Sequence, residues 1–150
     1  MRIAILGGTG DIGEAITLRL AANTDHELVV GSRKAEKAKT SATDYEKTLD
    51  EHGKKVKISG EKNPAAVDGA EVVVVAVPAY HLTATINAVE DELDESVLVA
   101  PAVGMQRDED GLHYNPPGAG SVTALAAKTV PERVPVVGAF HNLAAGRLGS

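Results

Sequence analysis

Three glycines near the amino terminus have a spacing that can hold a ligand. Gly8, Gly10 and Gly13 read G-x-G-x-x-G, with Thr9, Asp11 and Ile12 filling the variable positions. In that pattern the first glycine allows a tight turn after a strand. The second lets a pyrophosphate approach the backbone, and the third lets a helix pack closely on the strand. The helix that follows would present free N–H groups and its positive dipole end to an anion. The motif by itself is weak. Here it follows the apolar run Arg2–Leu6 directly and opens onto a helical pattern, which is the context a dinucleotide site requires. The alternative is a Gly-rich turn that binds nothing.

The kind of dinucleotide is read from the end of the second strand-like run. An acidic residue there would bind a ribose 2′-hydroxyl and repel a 2′-phosphate. Glu27–Gly31 is followed instead by Ser32, Arg33 and Lys34, with Lys37 one turn on. A hydroxyl, a planar guanidinium fork and further positive charge suit a phosphate dianion, so NADP is expected over NAD. Thr9 could add a hydroxyl. The alternative for Arg33 is an exposed arginine at a helix start, and Lys34, Lys37 and Lys39 could be only a solvated helix face.

The elements that would carry these residues alternate. Strands are expected at 2–6, 27–31, 56–60, 71–77, 97–100 and 134–140, and helices at 11–22, 32–51, 79–93 and 121–129, with a single turn after Asn63-Pro64. The run from Val72 to Val77 is all Val and Ala, as in a strand buried on both faces. Residues 101–120 are expected to form a long surface loop, and 141–150 show no pattern. Six strands alternating with helices predict an α/β fold with a doubly wound parallel sheet, a Rossmann fold, over one domain spanning 1–150. Ligands in such sheets sit outside the carboxyl ends of the strands. That directs attention to residues 7–13, 31–37, 77–81, 100–105 and 140–143.

Composition narrows the chemistry. The 150 residues are 43% hydrophobic but only 3% aromatic, so Val, Ile, Leu and Ala must build the core. The absence of cysteine removes disulfides, thiolate nucleophiles and Cys-ligated metals, and fits a reducing cytoplasm. A net charge of −6 argues against nucleic acid as a partner. No apolar run is long enough to span a bilayer, so no membrane partner is expected. No histidine pair has metal-ligand spacing, and Asp108-Glu109-Asp110 offers too few convergent oxygens for a cation site, so no metal is expected. His141, after the sixth strand, is the best-placed polar group. It is read either as an orienting group or as a packed or solvated histidine. His81 has the same two readings, with the second favoured.

These residues resemble a known family. Gly7 to Gly13, then Val29-Val30-Gly31-Ser32-Arg33 with Lys37, then Val77-Pro78, then Phe140-His141-Asn142-Leu143-Ala144-Ala145 resemble the coenzyme F-420 (F420)-dependent NADP oxidoreductases over essentially the whole chain. The resemblance implies reversible hydride transfer between NADP(H) and an 8-hydroxy-5-deazaflavin, coenzyme F-420. It implies that Thr9, Gly10, Asp11 and Ile12 line the pyrophosphate, and that Ser32, Arg33 and Lys37 hold the 2′-phosphate. It also implies that Val77 and Pro78, and the segment of His141, Leu143 and Ala145, lie by the nicotinamide and the deazaflavin. Family members commonly carry His-Thr-Ile-Pro-Ala-Ala where this chain has Asn142, Leu143 and Ala144 inside the same frame. They also continue into a small helical carboxyl-terminal region that helps form the deazaflavin site and a homodimer. That region is expected to be absent from this chain, which stops at Ser150 as a truncated form, a fragment or a short natural form.

No nucleophile, metal or obligatory acid–base pair is needed for such a transfer, because proximity, facial orientation and water exclusion are what the protein supplies. Catalytic side chains are therefore expected to be none. Two further readings stay open: an NADPH reductase of another acceptor, such as a flavin, ferric iron or an imine, and a non-catalytic NADP-binding module.

Overall fold

The computed structural model describes all 150 residues, Met1–Ser150. The first half runs β1 (Arg2–Leu6), α1 (Asp11–Asn23), β2 (Glu27–Ser32), α2 (Ala35–Glu51), β3 (Ile58–Lys62), α3 (Asn63–Val67) and β4 (Val72–Val75). The second half runs α4 (Leu82–Asn87), β5 (Val97–Ala100), β6 (Met105–Asp108), β7 (Gly111–Tyr114), α5 (Val122–Thr129), β8 (Val136–Gly138) and α6 (Ala145–Leu148). Six strands form one parallel sheet in the order β3-β2-β1-β4-β5-β8, the Rossmann arrangement.

Alternation along the strands sends side chains to two cores. Ala4, Leu6, Val73 and Val75 face α3, α4 and α5, while Ile3, Ile5, Val74 and Ala76 face α1 and α2. Nearly all of these are buried to within a few per cent. Each fully buried Val, Leu or Ile is worth about 1.5–3 kcal/mol, so the two cores hold the sheet without large aromatics.

Four expectations are corrected. The helix expected at 79–93 is broken into a 3-10 turn at Ala79–His81, α4, and a second 3-10 turn at Glu90–Glu92. Leu82, Ile86, Val89 and Leu93 are all fully buried, so the apolar stripe is right and only its continuity fails. Three adjacent carboxylates, Glu90, Asp91 and Glu92, and the non-helical backbone at Val89, with φ −129° and ψ 12°, mark the break. The loop expected at 101–120 contains the antiparallel hairpin β6–β7. Its turn carries the acidic run: Asp110 N–H donates to the Asp108 carboxylate at 3.0 Å, and Gly111 takes a φ of 110°. The Asp110-Gly111 dipeptide supplies the tight turn that joins the two strands.

The tail, expected to lack pattern, forms α6 against α1. Arg19 Nε donates to the Leu148 carbonyl at 2.8 Å, and the same guanidinium donates to the Ser150 carbonyl at 2.7 Å. Strand ends also shift: the strand expected at 56–60 lies at 58–62, 71–77 shortens to 72–75, and 134–140 shortens to 136–138.

Candidate dinucleotide site

The site is built at one edge of the sheet by register. Leu6 pairs with Gly31 on one side and with Val75 on the other, so β1, β2 and β4 end together. The chain leaves β1 toward β2 on one side, while β4 lies on the other. That reversal is the crevice where ligands bind in such sheets. The Gly-rich turn, Ser32-Arg33 and Val77-Pro78 all leave this edge.

Within the turn a Cβ on Gly8 would lie 2.7 Å from the Ile5 carbonyl oxygen, so the tight turn needs glycine there, and Gly7 adds a second requirement. The left-handed residue is Gly7, with φ 72°, not Gly8. A Cβ on Gly13 would lie 2.5 Å from the Gly7 carbonyl oxygen and 2.6 Å from Gly8 Cα, so α1 packs on the turn itself. A Cβ on Gly10 would meet only the Gly7 oxygen, at 3.5 Å, and Gly10 has an ordinary φ of −104°. Neither packing nor backbone geometry requires glycine at 10. The position opens outward, over a helix whose first turn no side chain caps. This is the room a pyrophosphate needs, and the uncapped N–H groups are its donors. Asp11 and Glu14 occupy the same first turn. They complement the helix dipole, so a phosphate here would be bound through backbone N–H groups rather than through net charge. Thr9 and Ile12 are half-buried beside them, and Asp11 is exposed.

At the end of β2, Ser32 Oγ accepts from the Lys34 N–H at 3.3 Å and keeps its own proton free to donate. Arg33, Lys34 and Lys37 are exposed, and none is in an ion pair, whereas Lys39 pairs with Glu36. Three cations within five residues therefore stand at this edge with no internal partner. The N–H and guanidinium donors suit the phosphates of NADP, and Gly10 leaves the space for them.

The other half of the edge is looser. Val77 is half-buried and Pro78 exposed after β4. Past β8 the chain turns sharply: Phe140 has φ 68°, and the Leu143 N–H donates to the Phe140 carbonyl at 3.1 Å. The left-handed region costs a bulky residue about 1–2 kcal/mol. The turn places His141 Nε2 2.9 Å from the Ala100 carbonyl at the end of β5. A carbonyl only accepts, so Nε2 donates, which in a neutral imidazole leaves Nδ1 as the acceptor. Leu143 is 46% exposed. Ala145 opens α6, whose far end lies against Ala15 of α1. A cleft of 340 Å³ opens between Tyr80 and Thr83 after β4, Met105 after β5, and Leu125 of α5.

Residues 2–104 match the family described as NADP oxidoreductase, coenzyme F420-dependent. The chain belongs to this family. One relative is the F420-dependent NADP reductase of Methanocaldococcus jannaschii, 35% identical over 146 residues that cover 95% of this chain and 64% of that protein. A second is the F420-dependent NADP reductase of Methanothermobacter thermautotrophicus, 34% identical, with 99% of this chain and 64% of that protein covered. The chain thus spans just under two thirds of the length of these relatives. A crystal structure from Arthrobacter sp. FB24, ascribed to an F420-dependent NADP-reductase, superposes with a TM-score of 0.75 at 25% identity, covering 97% of this chain and 65% of that one.

This F420-dependent NADP oxidoreductase family member has two residues at the edge that the sequence reading did not bring to it. Tyr45, expected only as part of the inward stripe of α2, donates its hydroxyl to the Gly8 carbonyl at 2.8 Å. Burial, followed by the nearby Glu14 carboxylate, pushes its pKa up to about 12, so the hydroxyl stays a donor. Asn63, expected only as a cap, is buried at the end of β3 with Oδ1 unpartnered, beside Gly31. Periodicity reports that Tyr45 is inside but is silent on where its hydroxyl ends.

Proposed function

We propose that this chain binds NADP(H) along the carboxyl edge of its sheet and that a hydride passes there between NADP(H) and an 8-hydroxy-5-deazaflavin, coenzyme F420. The observation that carries the reading is the unpaired cluster of Arg33, Lys34 and Lys37, one strand away from an uncapped helix start over which Gly10 leaves open space. The names of the curated relatives support both the dinucleotide and the acceptor.

When bound, the two cofactors supply the hydride donor and the hydride acceptor. The residues supply binding and orientation. Backbone N–H groups at Asp11, Ile12 and Gly13, with Thr9, hold the pyrophosphate over the open position at Gly10. Ser32, Arg33 and Lys37 hold the 2′-phosphate, with Arg33 as the bidentate partner. Gly8 and Gly13 keep the turn close to α1. Val77 and Pro78 wall the nicotinamide end. His141, tethered to Ala100, presents Nδ1 as an acceptor, which matches an amide N–H such as that of the nicotinamide carboxamide. Leu143 offers an apolar surface to a ring, and Ala145 extends that segment into α6. No side chain is assigned an acid–base role.

The reading includes a homodimer, for which exposed Tyr80, Met105, Leu112 and Tyr114 offer apolar surface, and sedimentation velocity tests it. The activity is tested by following the deazaflavin absorbance band after adding NADPH. Bleaching at a rate proportional to enzyme supports the transfer. NADPH binding without bleaching removes the deazaflavin as acceptor and leaves a binding module or a reductase of another acceptor.

A further inference from the structure

The Tyr45 hydroxyl reaches across 37 residues of sequence to a backbone carbonyl in the Gly-rich turn, from a position only 5% exposed. The hydrophobic role of this position needs only the ring: Ala38, Ala42 and Leu49 complete the same stripe without polar atoms. A phenylalanine would fill the space equally well, so the hydroxyl has a separate use. Its acceptor is one half of the Gly8–Thr9 peptide. That peptide is planar and trans, so its N–H points opposite to its carbonyl. Fixing the Gly8 carbonyl toward α2 fixes the Thr9 N–H away from α2.

In the same turn the Gly8 N–H is bonded to the Ile5 carbonyl at 3.1 Å and the Gly10 N–H to the Gly7 carbonyl at 3.0 Å, but the Thr9 N–H has no acceptor in the protein. One donor is thus left free, and it belongs to the peptide that a buried side chain holds in place. The free donor stands just ahead of the uncapped start of α1 and next to the open position at Gly10.

We infer that Tyr45 is a positioning residue for dinucleotide binding: its hydroxyl locks the Gly8–Thr9 peptide so that the Thr9 N–H is ready for a pyrophosphate oxygen. The inference rests on the NADP reading above. It assigns to α2 two separate contributions to one ligand, through Lys37 at its start for the 2′-phosphate and through Tyr45 for the pyrophosphate.

The test uses the full chain and two probes, NADP⁺ and 2′-AMP, titrated by calorimetry into the wild type and Tyr45→Phe. 2′-AMP carries the phosphate that Ser32, Arg33 and Lys37 would hold, but it has no pyrophosphate. In Tyr45→Phe the dissociation constant of NADP⁺ should rise about tenfold, the size of one hydrogen bond to a charged group. That of 2′-AMP should stay within about twofold on the same reasoning. General loosening of the fold would weaken both probes alike. Tyr45→Leu repeats the comparison with a different core volume, so that a shared pattern reports the hydroxyl and not the packing. Unchanged NADP⁺ affinity in the variants, or equal losses for both probes, overturns the inference while leaving the NADP reading intact. A wild type that binds 2′-AMP but not NADP⁺ overturns both.

Discussion

The structure separates two glycines that the motif treats alike, and that separation can be measured. Gly13→Ala places a Cβ 2.5 Å from the Gly7 oxygen and 2.6 Å from Gly8 Cα. Both neighbours are backbone atoms of a turn that Gly7 holds at φ 72°, so the turn or the helix must move. Overpacking of this kind costs about 1–3 kcal/mol, which for a chain of this size lowers the melting temperature by roughly 2–12 °C. Gly10→Ala adds a Cβ whose nearest neighbour is at 3.5 Å, an ordinary contact, at φ −104°. Alanine gains about 0.4–1 kcal/mol from a less flexible unfolded chain, and at an N-cap it loses a similar amount relative to glycine. The melting temperature of Gly10→Ala should therefore stay close to the wild type. Ligand binding should reverse the order of severity per unit of stability lost. Gly10→Ala, and more strongly Gly10→Val, should weaken NADP⁺ by about tenfold or more, because the added carbon stands where the phosphate must approach. Thermal melts with and without NADP⁺ read both quantities in one series. If Gly10→Ala melts as low as Gly13→Ala, position 10 is a packing glycine. If Gly10→Val melts like the wild type and still binds NADP⁺, the turn does not face the pyrophosphate.

Arg33→Asp should weaken NADPH by about a hundredfold, from loss of a charge-assisted pair worth about 1.5–3 kcal/mol plus new repulsion. NADH should change by only a few-fold, and equal losses in fluorescence titrations would refute the phosphate role. His141→Ala removes the tether to Ala100. It should leave the NADP⁺ dissociation constant within about threefold while slowing deazaflavin bleaching by about tenfold, the effect of a lost orienting contact; a loss confined to affinity would place His141 with the phosphates instead. Tyr45 gives a pH signature. Its folded pKa of about 12 lies above the unfolded value of 10.0, so the folded state holds the proton more tightly. Stability from this group is complete below about pH 10 and is lost as pH rises through 12, by roughly 1–2 kcal/mol after allowing for solvent screening. Tyr45→Phe should flatten that part of the alkaline unfolding curve, and an unaltered slope would show that the buried hydroxyl does not titrate there.

What the sequence makes legible follows from how local each feature is. The Gly-rich turn and the Ser32-Arg33 end of β2 are contiguous, and their place follows from strand alternation alone. The apolar stripe Leu82, Ile86, Val89 and Leu93 survives although the helix carrying it is broken, because burial depends on which side chains face the sheet and not on unbroken i→i−4 bonding. The hairpin at 105–114 is hard to read because its strands are four residues each and almost wholly exposed, which leaves Asp110-Gly111 as the main local signal. The docking of α6 is not legible locally because it depends on Arg19, whose guanidinium donates to carbonyls about 130 residues away. Tyr45 and Asn63 have tertiary roles of the same kind, in which a polar atom ends against backbone supplied by another element.

The two halves of the edge are unequally built, and this bears on how the proposed activity would divide. The adenosine half is fixed from inside. Gly13 is pressed against the turn, Tyr45 holds the Gly8 carbonyl, and the strand ends at Leu6, Gly31 and Val75 lie in register. The parts left free are donors: the Thr9 N–H, the uncapped start of α1, the Ser32 hydroxyl and the exposed cations. The nicotinamide half hangs on the narrow edge strand β8, a strained residue at Phe140 and one hydrogen bond from His141 to Ala100, with Leu143 exposed beside it. A half whose backbone is preorganised binds at the cost of ordering side chains alone, whereas a half held by one bond must also order its backbone as the ligand arrives. Dinucleotide affinity should therefore reside mainly with Gly10, Ser32, Arg33 and Lys37, and turnover mainly with the 140–143 turn. Substitutions in the first group should then move dissociation constants and those in the second should move rates, with little crossing between them.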